Sequence, residues 1–163
     1  MLTKLKNWTE SPHFIKMGRI IVVLIFLIGF NGIAQSIDYN TKKGYVAKGY
    51  DVVAYFDGKA TPGNDSFTTE QDGVKFKFSS QGNLQKFKDN PSKYTPKYGG
   101  YCAYAVAVSG KKVSINPETF EIRDGELLLF YNSGKTNTLD LWKKESPDEL
   151  KLKADKNWEA IKN

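Results

Sequence analysis

The sequence predicts an α+β fold, a small single domain of two antiparallel β-hairpins with interleaved helices. Two observations carry this expectation. Asp72-Gly73 and Asp124-Gly125 each separate short apolar runs, the pattern of a tight hairpin. Segments with helical spacing follow each hairpin, and the order hairpin, helix, hairpin, helix belongs to α+β and not to a parallel α/β sheet. Roughly 130 residues remain after an apolar leader, enough for one core without a second domain.

Residues 1–34 read as a leader and residues 35–163 as the folded domain. Met17-Gly18-Arg19 supplies a basic start, residues 20–30 are apolar apart from Gly29, and Gly32-Ile33-Ala34 places small residues where a signal peptidase cuts. The run is shorter than the roughly 20 apolar residues that cross a hydrocarbon core, which favours cleavage near Ala34 over a retained anchor. The only cysteine, Cys102, lies far downstream, which favours soluble release over lipidation. Residues 1–16, with Pro12 and mixed charge, fit no part of a signal, so Met17 is an alternative start. The expected location is periplasmic or secreted, with the membrane involved only through the signal.

Within the domain, a polar lead over 36–43 precedes the segment 49–56, which ends at Asp57-Gly58, and Pro62-Gly63-Asn64 forms a loop. Residues 66–70 and 74–78 make the first hairpin, with aromatics alternating on one face. Ser79-Ser80 caps a helix over 81–89 with Leu84 and Phe87 inward, and Asn90-Pro91 stops it. Residues 101–108 read as a buried helix, with a strand as the alternative by periodicity. Pro117 precedes the second hairpin, 119–123 with 126–131. Two amphipathic helices close the chain: 136–145 with Leu139 and Trp142, and 147–161 with Leu150, Leu152, Ala154, Trp158 and Ile161.

The chain carries a formal charge of +6. Lys4, Lys6, Lys16 and Arg19 against Glu10 belong to the leader, leaving about +3 on the domain, a mildly basic surface and no footprint for nucleic acid. The lysines at 143, 144, 151, 153 and 156 read as a solvated helix face. His13, the one histidine, and both methionines, Met1 and Met17, also lie in the leader. From 35 onward a Ser-His or Cys-His pair cannot be assembled within one chain, and soft metal ligands are nearly absent. No catalytic residue is assigned. The lone cysteine forms no intramolecular disulfide, so packing must stabilise the domain.

Gly49-Tyr50-Asp51 with Val53-Ala54-Tyr55-Phe56, then Phe76-Lys77-Phe78-Ser79-Ser80, Phe87, Pro91, Lys93-Tyr94 and finally residues 98–106, GGYCAYAV among them, resemble the exported bacterial YHS-domain proteins. The resemblance covers most of the domain, with a core at about 44–110 and an extension over 111–163. It implies a module related to treble-clef-like and zinc-ribbon-like folds, and a role in binding heavy metals, notably copper. Where metal-binding members carry cysteines, this chain has Ser79 and Asn83, poor ligands for soft metals. The histidine that names the family is missing too.

Cys102 is either a thiolate that anchors a metal or reacts with a redox partner, or a small buried hydrophobe with Gly99-Gly100 forming the turn before it. Asp51 either offers a carboxylate to a ligand or caps a turn starting at Val52. Tyr50, Tyr55, Tyr98, Tyr101 and Tyr104 either line a pocket with hydroxyls or form half-buried core with wet tips. The expected function is a non-catalytic exported binding module for copper or a small ligand near Asp51 and Cys102, or for an envelope protein. A structural or protein-interaction module with buried Cys102 and no ligand is one alternative, and a thiol redox protein another.

Overall fold

A computed structural model describes residues 37–163. The leader over 1–34, its cleavage near Ala34 and His13 lie outside the described residues. Strands β1 (Thr41–Lys42), β2 (Tyr45–Val46), β3 (Asn64–Gln71) and β4 (Val74–Phe78) form one sheet in the order β1-β2-β4-β3. The β3–β4 hairpin turns at Asp72-Gly73, where φ is 53° and 76°, the doubly positive pair that a two-residue hairpin turn requires. Along β4, Phe76 and Phe78 are buried while Lys75 and Lys77 take the opposite face. Residues 41–42 and 45–46, assigned to no element by pattern, add the sheet edge: β1 pairs antiparallel with β2, and β2 pairs parallel with β4 at Tyr45 and Lys75.

Helix α1 (Gln81–Asp89) starts where expected, with Ser80 Oγ accepting the Asn83 N–H at 3.2 Å. Phe87 stacks on Phe76 and Phe78 with ring centroids 4.6 and 5.1 Å away, closing the helix over the sheet. Asn90-Pro91 ends α1 and also opens the short α2 (Pro91–Tyr94), Asn90 Oδ1 accepting the Lys93 N–H. A turn over Lys97–Gly100 follows, with Tyr98 at φ 54°. The run at 101–108 is helical, as α3 (Ala103–Ser109), with Cys102 as its first flanking residue.

The second hairpin, β5 (Asn116–Arg123) and β6 (Glu126–Phe130), turns at Asp124-Gly125. β6 is buried on both faces. Leu127 and Leu129 join the core under the first sheet, whereas Leu128 and Phe130 join a second cluster with Trp142, Ala154 and Trp158. Such a wall between two cores accounts for a continuous apolar run instead of alternation. A small hairpin, β7 (Asn132–Ser133) with β8 (Thr136–Asn137), takes the first residues expected of the next helix, which becomes α4 (Thr138–Lys144) with Asn137 as its cap.

Helix α5 (Pro147–Ile161) buries Leu150, Ala154 and Trp158 along one face. Leu152 does not belong to that face and is 72% exposed, because two residues of α-helix rotate it about 200° from Leu150. The Asp38 N–H donates to Lys162 O at 2.9 Å, and the Asn40 N–H to Gly99 O at 2.8 Å, tying the first described segment to α5 and the turn before α3. Among the described residues no helix is long and apolar enough to cross a membrane.

Candidate functional site

Asp51 is fully buried, and five hydrogen bonds converge on its carboxylate. Oδ1 accepts the backbone N–H groups of Val53 at 2.9 Å and Ala54 at 3.2 Å. Oδ2 accepts the Ser79 N–H at 2.8 Å, the Ser79 hydroxyl at 2.7 Å and the Asn83 side-chain amide at 2.7 Å. The first pair caps the turn starting at Val52. The other three bind that turn to the end of β4 and the first turn of α1. Two carboxylate oxygens offer about four lone-pair sites, so this group has no acceptor capacity left.

Cys102 is fully buried as well, but in different company. Its Sγ accepts the Tyr131 N–H at 3.3 Å and lies 3.3 Å from Thr138 Oγ1. The Thr138 hydroxyl itself donates to Tyr131 O at 2.8 Å, which leaves the thiol hydrogen to point at Thr138 Oγ1. The Cys102 N–H donates to Val113 O. Asp51 and Cys102 therefore share no hydrogen-bond partner: one is fastened to β4 and α1, the other to residues beyond β6 and at the start of α4.

The tyrosines also diverge. Tyr55 is fully buried, donates to Pro117 O at 2.7 Å and packs edge-on against Phe120; burial, with smaller contributions from Tyr50, Asp51 and Glu118, pushes its pKa far above the ordinary phenol value. Tyr98 donates to Asp155 at 3.0 Å, and burial, then Asp155, raises it similarly. Tyr101 donates to Asp38, with its pKa pushed up to about 12 by burial and that hydrogen bond. Tyr104 donates to Glu145, which raises its pKa. Tyr50 is half-buried beside Pro62 and the lysines of the first sheet. Four hydroxyls thus end on four separate acceptors.

The structure joins Asp51 to Ser79 and Asn83, two residues that sequence reasoning set aside as poor ligands. Their four-residue spacing, which puts both on one side of the α1 start, is the signal that could have paired them. The YHS domain family model matches residues 52–98. That match covers less than a third of the chain and marks residues 52–98 as similar to the YHS domain. This YHS segment holds the β3–β4 hairpin, α1, α2, Ser79 and Asn83, while Asp51 lies one residue before it and Cys102 beyond its end. No curated protein and no solved structure matches the chain.

The donor set does not fit the soft metal that the YHS resemblance implies. Asp51 is saturated, Ser79 offers a neutral hydroxyl, and Asn83 turns its N–H toward Asp51, so no soft ligand and no free lone pair of the carboxylate faces this point. Cys102 supplies one thiol, already engaged as donor and acceptor. Among the described residues no group of three or more His, Cys, Asp or Glu side chains is placed to hold a metal ion.

Proposed function

We propose that the chain is an exported, non-catalytic YHS-type binding module that acts through its surface, toward an envelope protein or a small ligand. In this reading the Asp51 network holds internally the elements that a metal would otherwise join. The observation that carries it is the saturated, fully buried carboxylate of Asp51, with Ser79 and Asn83 as its donors. Burial of Cys102 supports it further, since a thiol serving copper or redox exchange needs access. Concave surface lies elsewhere, including a groove of about 600 Å³ lined by Tyr39, Pro96, Tyr98 and Trp158.

The reading is tested by anaerobic Cu(I) titration of the purified protein and of Cys102→Ser, followed by desalting and metal analysis. Neither is expected to retain copper, and a maleimide reagent should label Cys102 slowly in native protein and fully after denaturation. Stoichiometric copper in the wild type that disappears in Cys102→Ser would overturn the reading in favour of a metal site. Export is read separately by fractionation and N-terminal sequencing. A mature start near Gln35 outside the cytoplasm is expected, and a full-length cytoplasmic product would remove that part of the proposal.

A further inference from the structure

Lys42, Lys43, Lys48 and Lys77 wall a depression of about 310 Å³ at the β1–β2 edge of the first sheet. All the charged residues on this wall are cations. The one acid paired with them, Asp65, lies 2.5 Å from Lys77 Nζ, leaving about +3 at this spot, as much as the net charge of the whole domain from 35 onward. The phenol rings of Tyr45 and Tyr50 complete the sides, and Lys77 is fixed with its ammonium 4.4 Å from the Tyr45 ring centre.

The depression is built into the backbone. Lys43, Ala47 and Lys48 have φ of 54°, 50° and 56°, a left-handed conformation that side-chain-bearing residues rarely adopt, and it folds residues 42–48 around one concavity. Its floor depends on Gly63, whose N–H donates to Gly49 O at 2.9 Å. A Cβ there would lie 2.3 Å from Lys77 Cβ, so only glycine lets this segment rest on β4.

We propose that this depression binds a small phosphate-bearing anion. Lysines and no arginine line it, and ammonium groups are compact point charges suited to a multiply charged phosphate more than to the bidentate recognition of a planar carboxylate. The volume is that of a small-ligand site. The phosphate belongs either to a free ester or to a lipid headgroup. The site deepens the surface-acting reading above, and the two fail separately: copper retention overturns that reading, and an unaffected lysine variant overturns only this pocket.

The test uses the whole protein, titrated with pyrophosphate and followed by amide chemical shifts. Lys42→Gln/Lys48→Gln is compared with Lys143→Gln/Lys144→Gln, which removes the same charge from exposed positions on α4, and single Lys42→Gln covers the case in which the double variant misfolds. Saturable binding that weakens about tenfold in the first pair and less than about twofold in the control is expected, with shifts centred on 42–50, 63 and 77. Equal weakening in both pairs, or non-saturable shifts spread over all lysines, overturns the site. Sedimentation with phosphatidylcholine vesicles containing phosphatidic acid separates the sources. Vesicle binding that pyrophosphate competes away and that Lys42→Gln/Lys48→Gln weakens assigns the headgroup, pyrophosphate binding without sedimentation assigns the free ester, and vesicle binding that pyrophosphate does not compete, or absence of both, overturns the proposal.

Discussion

Asp51 concentrates the joining of three segments in one side chain. Removing it as Asp51→Ala strands the N–H groups of Val53 and Ser79 and the Asn83 amide, while the Ala54 N–H keeps the Asp51 backbone carbonyl, and each unsatisfied buried donor costs about 1–3 kcal/mol. We expect a loss of about 4 kcal/mol in urea unfolding, a large share of the roughly 5–15 kcal/mol available to a domain. Asp51→Asn keeps the shape but turns an amide against donors and should lose about 2 kcal/mol, whereas Ser79→Ala, which deletes one hydroxyl bond, should lose about 1 kcal/mol. A cost below about 1 kcal/mol for Asp51→Ala would contradict the hub role. At this scale the sequence shows only half of the site. The capping role of Asp51 is legible from residue type, because aspartate before a turn accepts nearby N–H groups. Its bonds to Ser79 and Asn83 span 28 and 32 positions, and nothing local encodes a contact at that separation.

Among the elements, those specified by local chemistry were readable and those specified by pairing were not. Both Asp-Gly hairpins, the Ser80 cap of α1 and Pro147 at the start of α5 carry their own signals. β1 and β2 have two residues each, too few for any period, and exist because β4 offers an edge. The β7–β8 hairpin shortens α4 for the same reason. Leu152 illustrates the opposite error: an apolar residue in an amphipathic helix that does not face the core. Leu152→Lys should therefore change stability by less than about 0.5 kcal/mol, while Leu150→Ala, 3% exposed on the packed face, should cost about 3 kcal/mol. Similar costs at the two positions, measured by urea midpoints, would reject the assigned helix face.

For the molecule as a whole, alkaline pH is the informative perturbation. Burial, followed by Asp72, pushes the Tyr39 pKa up to about 12, and burial with the Asp38 hydrogen bond does the same for Tyr101. Folding thus favours the neutral phenols, a contribution present in full below the unfolded value of about 10 and lost as pH rises through about 12. Tyr55 and Tyr98 are raised further, and Tyr98 sits beside an ion network in which Lys97 and Lys151 both bridge Glu126 and Asp155. Phenolate absorbance from Tyr39, Tyr55, Tyr98 and Tyr101 should be held back until cooperative unfolding above about pH 11. A single smooth titration centred near 10, with the fold retained, would contradict the burial of these hydroxyls.

The hydrogen bond from Asp38 to Lys162 places the two ends of the described chain side by side. The order in which the elements are threaded is therefore separable from the way they pack. A circular permutant that links 163 to 37 through a few glycines and opens at the exposed Asp124-Gly125 turn should keep the native circular-dichroism spectrum and a cooperative melt. It would also free both ends of the groove beside Trp158 from a tag or a fusion partner, so that surface can be probed without a neighbour attached to it.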